Sequence, residues 1–141
     1  MPDPTLTATE LSAEDAKLVT LARAARARVA AIEGAAVRDG TGRTYAASTV
    51  ALPSLTLSAL QAAVASAVAA GAATLEAAAV VTEASSVDGP GYAAVRDLNA
   101  NAPVHAAAPD GTLLGTLRGP RPGTGRGSSA SWGGRTPVSR R

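Results

Sequence analysis

The chain has 141 residues, with 13 basic and 11 acidic side chains, no cysteine, no phenylalanine, one histidine and 35 alanines. That length suits a single domain. The absence of cysteine excludes a disulfide scaffold, a thiolate metal site and a cysteine nucleophile, and one histidine excludes a multi-histidine metal site.

Charge divides the chain in two. Residues 118–141 hold six arginines and no acid, whereas residues 1–117 hold seven basic and eleven acidic side chains, a balance of −4. The segment 118–141 is rich in Gly, Pro and Ser and has too little apolar surface to offset the entropy of ordering it, so it reads as a disordered tail. Its arginines Arg118, Arg121, Arg126, Arg135, Arg140 and Arg141, interleaved with Gly and Trp132, are candidate contacts to nucleic-acid phosphates and bases. The plainer reading is a solvated tail without a partner. Residues 1–10 read as flexible, and their acids and lack of a following apolar run argue against a secretory leader, which implies a cytoplasmic protein.

Between these ends, residues 11–117 read as the domain. Residues 11–31 form an amphipathic helix with Ser12 as N-cap, Asp15 three positions on, and Leu18, Leu21, Ala22, Ala25 and Val29 at helical spacing. An apolar run at 34–37, the DGTGR turn at 39–43 and a β-branched, partly alternating run at 44–50 predict a β-hairpin. Pro53 and Ser54 punctuate the chain before a second helix, in which Leu57, Leu60, Val64, Ala67 and Val68 keep the helical period until Gly71. Residues 75–82 predict a central strand, and 86–99 a third helix interrupted at its start by Gly89, Pro90 and Gly91. Strands at 102–107 and 112–117 follow, separated by the Asp110–Gly111 turn. No internal repeat is visible. The order implies an α/β sandwich, a mixed sheet covered by helices.

No charged residue occurs from Thr44 to Leu75. Ala, Ser, Thr, Gln and Gly dilute its Leu and Val, and no aromatic belt marks its ends, so the stretch reads as a helix buried nearly all round inside a domain or oligomer and not as a membrane span.

Several constellations reduce to structure. DGTGR lacks the Lys-Ser/Thr and following helix of a phosphate loop and reads as a hairpin turn. No Gly-x-Ser-x-Gly elbow occurs. Glu10, Glu14 and Asp15 sit where a helix dipole favours negative charge. His105 falls in a strand and is expected to be satisfied by backbone, and a zinc site from His105, Asp88 and Asp97 lacks recognised ligand spacing.

The layout resembles the small cytidine deaminase family over most of residues 11–117. The segments that carry the resemblance are EGAAVRDGTGRTY at 33–45, LTLSALQAAVASAVAAG at 55–71 and APVHAAAPDG at 102–111. The resemblance implies a cytidine-deaminase-like α/β/α sandwich and a homo-oligomer, dimer or tetramer. It also places the family's chemistry. The cysteine of Thr-Leu-Cys-Ala-Glu corresponds to Ser58 and its glutamate to Leu60. The ribose-holding Asn-x-Glu-Asn corresponds to Ala47, Ser48, Thr49 and Val50, and Pro-Cys-x-x-Cys falls near residues 87–92, which read VDGPGY. Zinc deamination needs three nitrogen or sulfur ligands on a water and a non-ligand glutamate to move protons. Serine is a poor zinc ligand and leucine moves no proton, so the resemblance implies a degenerate member with no catalytic residue, no metal and no cofactor, acting as an oligomeric binding or assembly module. The alanine- and arginine-rich, lysine-poor composition fits a high-GC, actinobacterial genome, where relatives of this sort lie near a ribosome-assembly GTPase. Two alternatives stand beside this reading. One is a zinc-dependent cytidine or nucleoside deaminase with an unrecognised site, and the other is an RNA- or ribosome-associated protein that uses its basic tail. Nucleoside binding without turnover is a third, weaker option.

Overall fold

The computed structural model describes residues 11–119. The N-terminal ten residues and the tail from residue 120 onward, with Arg121, Arg126, Trp132, Arg135, Arg140 and Arg141, lie outside the described residues. Arg118 is exposed just past the last strand.

Local chemistry sets each boundary. Helix α1 (Ala13–Arg28) starts where the Ser12 hydroxyl accepts the Asp15 N–H at 3.0 Å, and it ends before Ala30 turns into the left-handed region at φ 51°. Strands β1 (Gly34–Asp39) and β2 (Thr44–Ser48) form the expected hairpin. Its turn closes because the Asp39 carboxylate accepts from the Thr41 N–H and hydroxyl and the Arg43 N–H, with Gly42 at φ 94°.

The stretch around Pro53 departs from expectation. Instead of leading into a helix, Pro53 and Ser54 form the tip of a second, small hairpin, β3 (Val50–Leu52) paired with β4 (Leu55–Leu57). Three-residue strands are too short to show a periodicity of two in the sequence. Helix α2 (Ala59–Ala69) therefore begins after Leu57. Its start is a capping box, in which the Ser58 hydroxyl accepts the Gln61 N–H at 3.0 Å and the Gln61 side chain accepts the Ser58 N–H at 2.9 Å. Gly71, at φ 103°, ends it.

Strand β5 (Leu75–Val81) runs into α3 (Gly89–Leu98), capped by Asp88. The Gly89-Pro90-Gly91 run is the first turn of α3 and does not interrupt it, because a proline there lacks only an N–H that has no partner within the helix. Strands β6 (Val104–Ala107) and β7 (Leu113–Leu117) complete the elements among the described residues.

The five-stranded sheet has the order β2-β1-β5-β6-β7, with β5 and β6 parallel through the α3 crossover and every other pair antiparallel. Its two faces carry separate cores. On one, α2 and α3 bring Leu60, Val64, Tyr92 and Val95 onto Leu75, Val80 and Val104. On the other, α1 lays Leu18, Val19 and Ala22 on Ala36, Ala77, Ala79, Val81 and Ala107. The alanines of β1 and β5 let helices approach both faces closely, which explains why these strands read as continuous apolar runs.

Within a single chain, helix α2 is not buried all round. Ala59, Leu60, Ala62, Ala63, Val64 and Ala67 face the core, whereas Ala65, Ser66, Ala69 and Val68 (49% exposed) face outward. Among the described residues no helix is long and apolar enough to cross a membrane.

Candidate functional site

The amino ends of α2 and α3 meet beside the carboxyl end of β5, a place where an α/β sheet presents free N–H groups and loop side chains to a ligand. Here those groups are spent on the chain itself. The Ser58 hydroxyl is held in the capping box. The Asp88 carboxylate accepts the Gly91 N–H at 2.6 Å. Leu60 is fully buried, and its side chain lies against Gly91. A Cβ built on Gly91 would stand 2.8 Å from Leu60 Cβ and 2.9 Å from Asp88 Oδ2. Any side chain at position 91, a cysteine included, therefore competes with Leu60 for the same volume.

The four positions that the resemblance assigns to ribose contacts are likewise engaged in the fold. Thr49 closes the open end of the β1–β2 hairpin, with its N–H donating to the Glu33 carbonyl at 3.2 Å and its hydroxyl accepting the Glu33 N–H at 3.1 Å. Ala47 packs against the α2 side of the core, and Ser48 and Val50 are half-buried.

One polar residue at this edge is not singled out by the sequence. The Glu33 carboxylate accepts the Thr82 hydroxyl at 2.6 Å. Burial pushes its pKa above the usual carboxylate value; the Thr82 hydrogen bond opposes the rise and the negative charge of Asp88 adds to it. Nothing in the local pattern marks Glu33, since it lies in a loop and its partner is 49 positions away.

The donor set at the positions where the resemblance places the zinc ligands and proton shuttle does not fit a zinc ion. Those positions offer one hydroxyl and one carboxylate, both committed to helix caps, with a leucine and a glycine between them, and the nearby Glu33 carboxylate is bonded to Thr82. Among the described residues, no group of three or more His, Cys, Asp or Glu side chains comes close enough to hold a metal ion. His105, Asp88 and Asp97 are not brought together. Asp88 caps α3, Asp97 is exposed on it, and His105 pairs with α1 across the sheet.

His105 is satisfied differently from expectation. It is 2% exposed, and both ring nitrogens meet side chains, not backbone: Nε2 lies 2.8 Å from Asp15 Oδ2 and Nδ1 lies 2.9 Å from Thr116 Oγ1. Asp15 accordingly does more than complement the dipole of α1, since it also bonds Arg38 at 2.9 Å. A separate open cleft of about 660 Å³ lies at the far end of α2, lined by the DGTGR turn and residues 70–74. Its one carboxylate, Asp39, already has four donors; the Thr41 hydroxyl foremost, then Tyr45 and two backbone N–H groups, hold its pKa at about 2.

A scan against family models matches residues 11–111 to the cytidine deaminase-like family, a span that takes in every element from α1 through β6. The chain belongs to the cytidine deaminase-like family. Among solved structures, it is similar to the cytidine deaminase of Burkholderia pseudomallei, with 23% identity and a TM-score of 0.64 over 77% of this chain and 93% of that one. It is also similar to the cytidine deaminase of Mycobacterium leprae, with 19% identity and a TM-score of 0.57 over 77% of this chain and 94% of that one. At such identities the likeness concerns the fold. A search of curated proteins finds no match.

Proposed function

We propose that this cytidine deaminase-like chain is catalytically inert and serves as an oligomeric binding or assembly module. The observation that carries the reading is the contact of Leu60 with Gly91 between two helix ends whose polar groups are already used as caps. Hydrolytic deamination requires a metal-activated water and a carboxylate to carry protons. Ser58 and Leu60 supply neither. Glu33 does not replace the missing glutamate, because its carboxyl is turned to Thr82 and no zinc ligand set accompanies it.

Self-association is supported by the outward side of the same uncharged stretch. Leu52 is 57% exposed and Leu55 48% on the β3–β4 hairpin, and Val68 is 49% exposed on α2. Burying such residues between subunits contributes about 25 cal/mol for each Å² removed from water. Metal analysis of purified protein together with an ammonia assay on cytidine tests inertness, and multi-angle light scattering tests assembly. Bound zinc with turnover overturns the first half of the reading, and a monomer at high concentration overturns the second.

A further inference from the structure

The side chains with the most chemistry in this chain gather away from the α2–α3 edge, under the first turns of α1. There Asp15 from α1 meets His105 from β6 and Arg38 from β1. Thr116 from β7 reaches His105 Nδ1, and Arg38 also bonds Glu76 of β5 at 2.7 Å. We propose that Asp15, His105 and Thr116 form a proton-operated latch, which fastens the N-terminal half of α1 to the β6–β7 side of the sheet and releases it on acidification while the α2–α3 side stays folded.

Three observations carry this. First, of the two neutral tautomers the Nε2–H form satisfies both neighbours, donating to the Asp15 carboxylate at 2.8 Å and accepting the Thr116 hydroxyl proton at Nδ1 over 2.9 Å. A proton taken from solvent lands on Nδ1, turns it from acceptor to donor, and forces the Thr116 hydroxyl to reverse. Second, the apolar hold of α1 is slight. Five of the eight buried residues in its core are alanines, so polar contacts decide more of its attachment than they do for α2. Third, the two halves of α1 are fixed by different means. Its C-terminal half is seated on Gly34, where any Cβ would overlap the Ala22 carbonyl oxygen, and Arg23 donates to the Pro109 carbonyl at 3.0 Å. Its N-terminal half has the Asp15 cluster beside the buried Leu18 and Val19.

The charges facing the imidazole set the sign. Burial disfavours the imidazolium first of all; Asp15 favours it, and Arg118 and Arg38 oppose it, leaving His105 below its ordinary value. Glu76 faces this group through its pair with Arg38 at 2.7 Å. The detached state therefore takes up the proton more readily than the docked state. The latch holds above the ordinary histidine pKa and weakens as pH falls through it.

Because the chain has one histidine, its imidazole resonances are followed without ambiguity in the unaltered full-length protein. Hydrogen exchange, corrected for the chemical rate, is compared for α1 and α2 amides at about pH 7.5 and about pH 5.5, values that bracket histidine titration. The expected result is a neutral Nε2–H tautomer at the higher pH and a loss of α1 protection of about tenfold at the lower pH, with α2 unchanged, tracking the imidazole titration. His105→Gln, which cannot titrate, is expected to flatten the α1 profile. Equal loss from α1 and α2, or α1 opening unrelated to the imidazole titration, overturns the proposal. Since the wild-type titration is decisive alone, a His105→Gln chain that does not fold leaves the test intact.

Discussion

The two faces of the central sheet distribute their residues in opposite ways. On the α2–α3 face, where the resemblance places metal, proton shuttle and ribose contacts, the structure holds Leu60 against Gly91, with serine and aspartate reduced to helix caps. On the α1 face, which the resemblance leaves without a role, a carboxylate, a guanidinium, an imidazole and a hydroxyl from four elements are bonded into one cluster. The first face is built for packing and the second relies on polar contacts. Under the proposed function, the loss of a catalytic site would leave a more continuous core, because each polar group withdrawn from a buried edge removes a desolvation cost and admits an apolar neighbour.

This contrast is sharpest at Leu60. Leu60→Ala is expected to destabilise the chain by about 3 kcal/mol, the usual cost of truncating a fully buried leucine, as read from urea denaturation. Gly91→Ala drives a Cβ into Leu60 and is expected to cost about 2 kcal/mol. The double variant probes the shared space, because losing Leu60 Cδ2 relieves one of the three close contacts of the new methyl, while those with the Cβ of residue 60 and with Asp88 Oδ2 remain. A double-mutant cycle is expected to show a favourable coupling of about 1 kcal/mol, and additivity would mean that the two residues do not share the space. Ser58→Ala removes half of the capping box and is expected to cost about 1 kcal/mol by the same denaturation measurement.

The α1 face responds to pH instead. His105 is depressed in the folded chain, so its contribution to stability is complete above the ordinary histidine value and is lost as pH falls through the range below it. Asp15 acts in the same direction at lower pH. Burial pushes it up, but the bonds from His105 and Arg38 prevail and hold it below the ordinary carboxylate value, so its contribution disappears only in acid. Thermal melts across this range are expected to show a first loss of stability that His105→Gln removes. The smallest effect belongs to the solvent side, where Arg26 and Glu83 approach to 3.4 Å with Glu83 75% exposed. Glu83→Gln is expected to change stability by no more than about 0.5 kcal/mol.

The legible parts of the fold were those with local signals. Ser12 announces a helix start three residues before Asp15, DGTGR announces the first hairpin, and the apolar run of β5 announces a central strand, whereas Pro53 and Ser54 obscure the Ser58–Gln61 capping box. The β3–β4 hairpin was not legible, because Leu52 and Leu55 flank a proline that also suits a helix entry. The two decisive arrangements at the sites depend on distance in the chain. Asp15 and His105 are 90 positions apart, and Leu60 meets Gly91 only because α2 and α3 converge. The resemblance implies that donors are missing at positions 58 and 60, but no local pattern shows that Leu60 packs on Gly91.

Whether the α2–α3 edge holds a water-activating centre is decided by incubating the purified full-length chain with zinc, removing loose ion, and measuring metal per chain alongside ammonia released from cytidine. No retained zinc and no ammonia above the uncatalysed rate are expected. One zinc per chain with sustained ammonia release would contradict the proposed inertness.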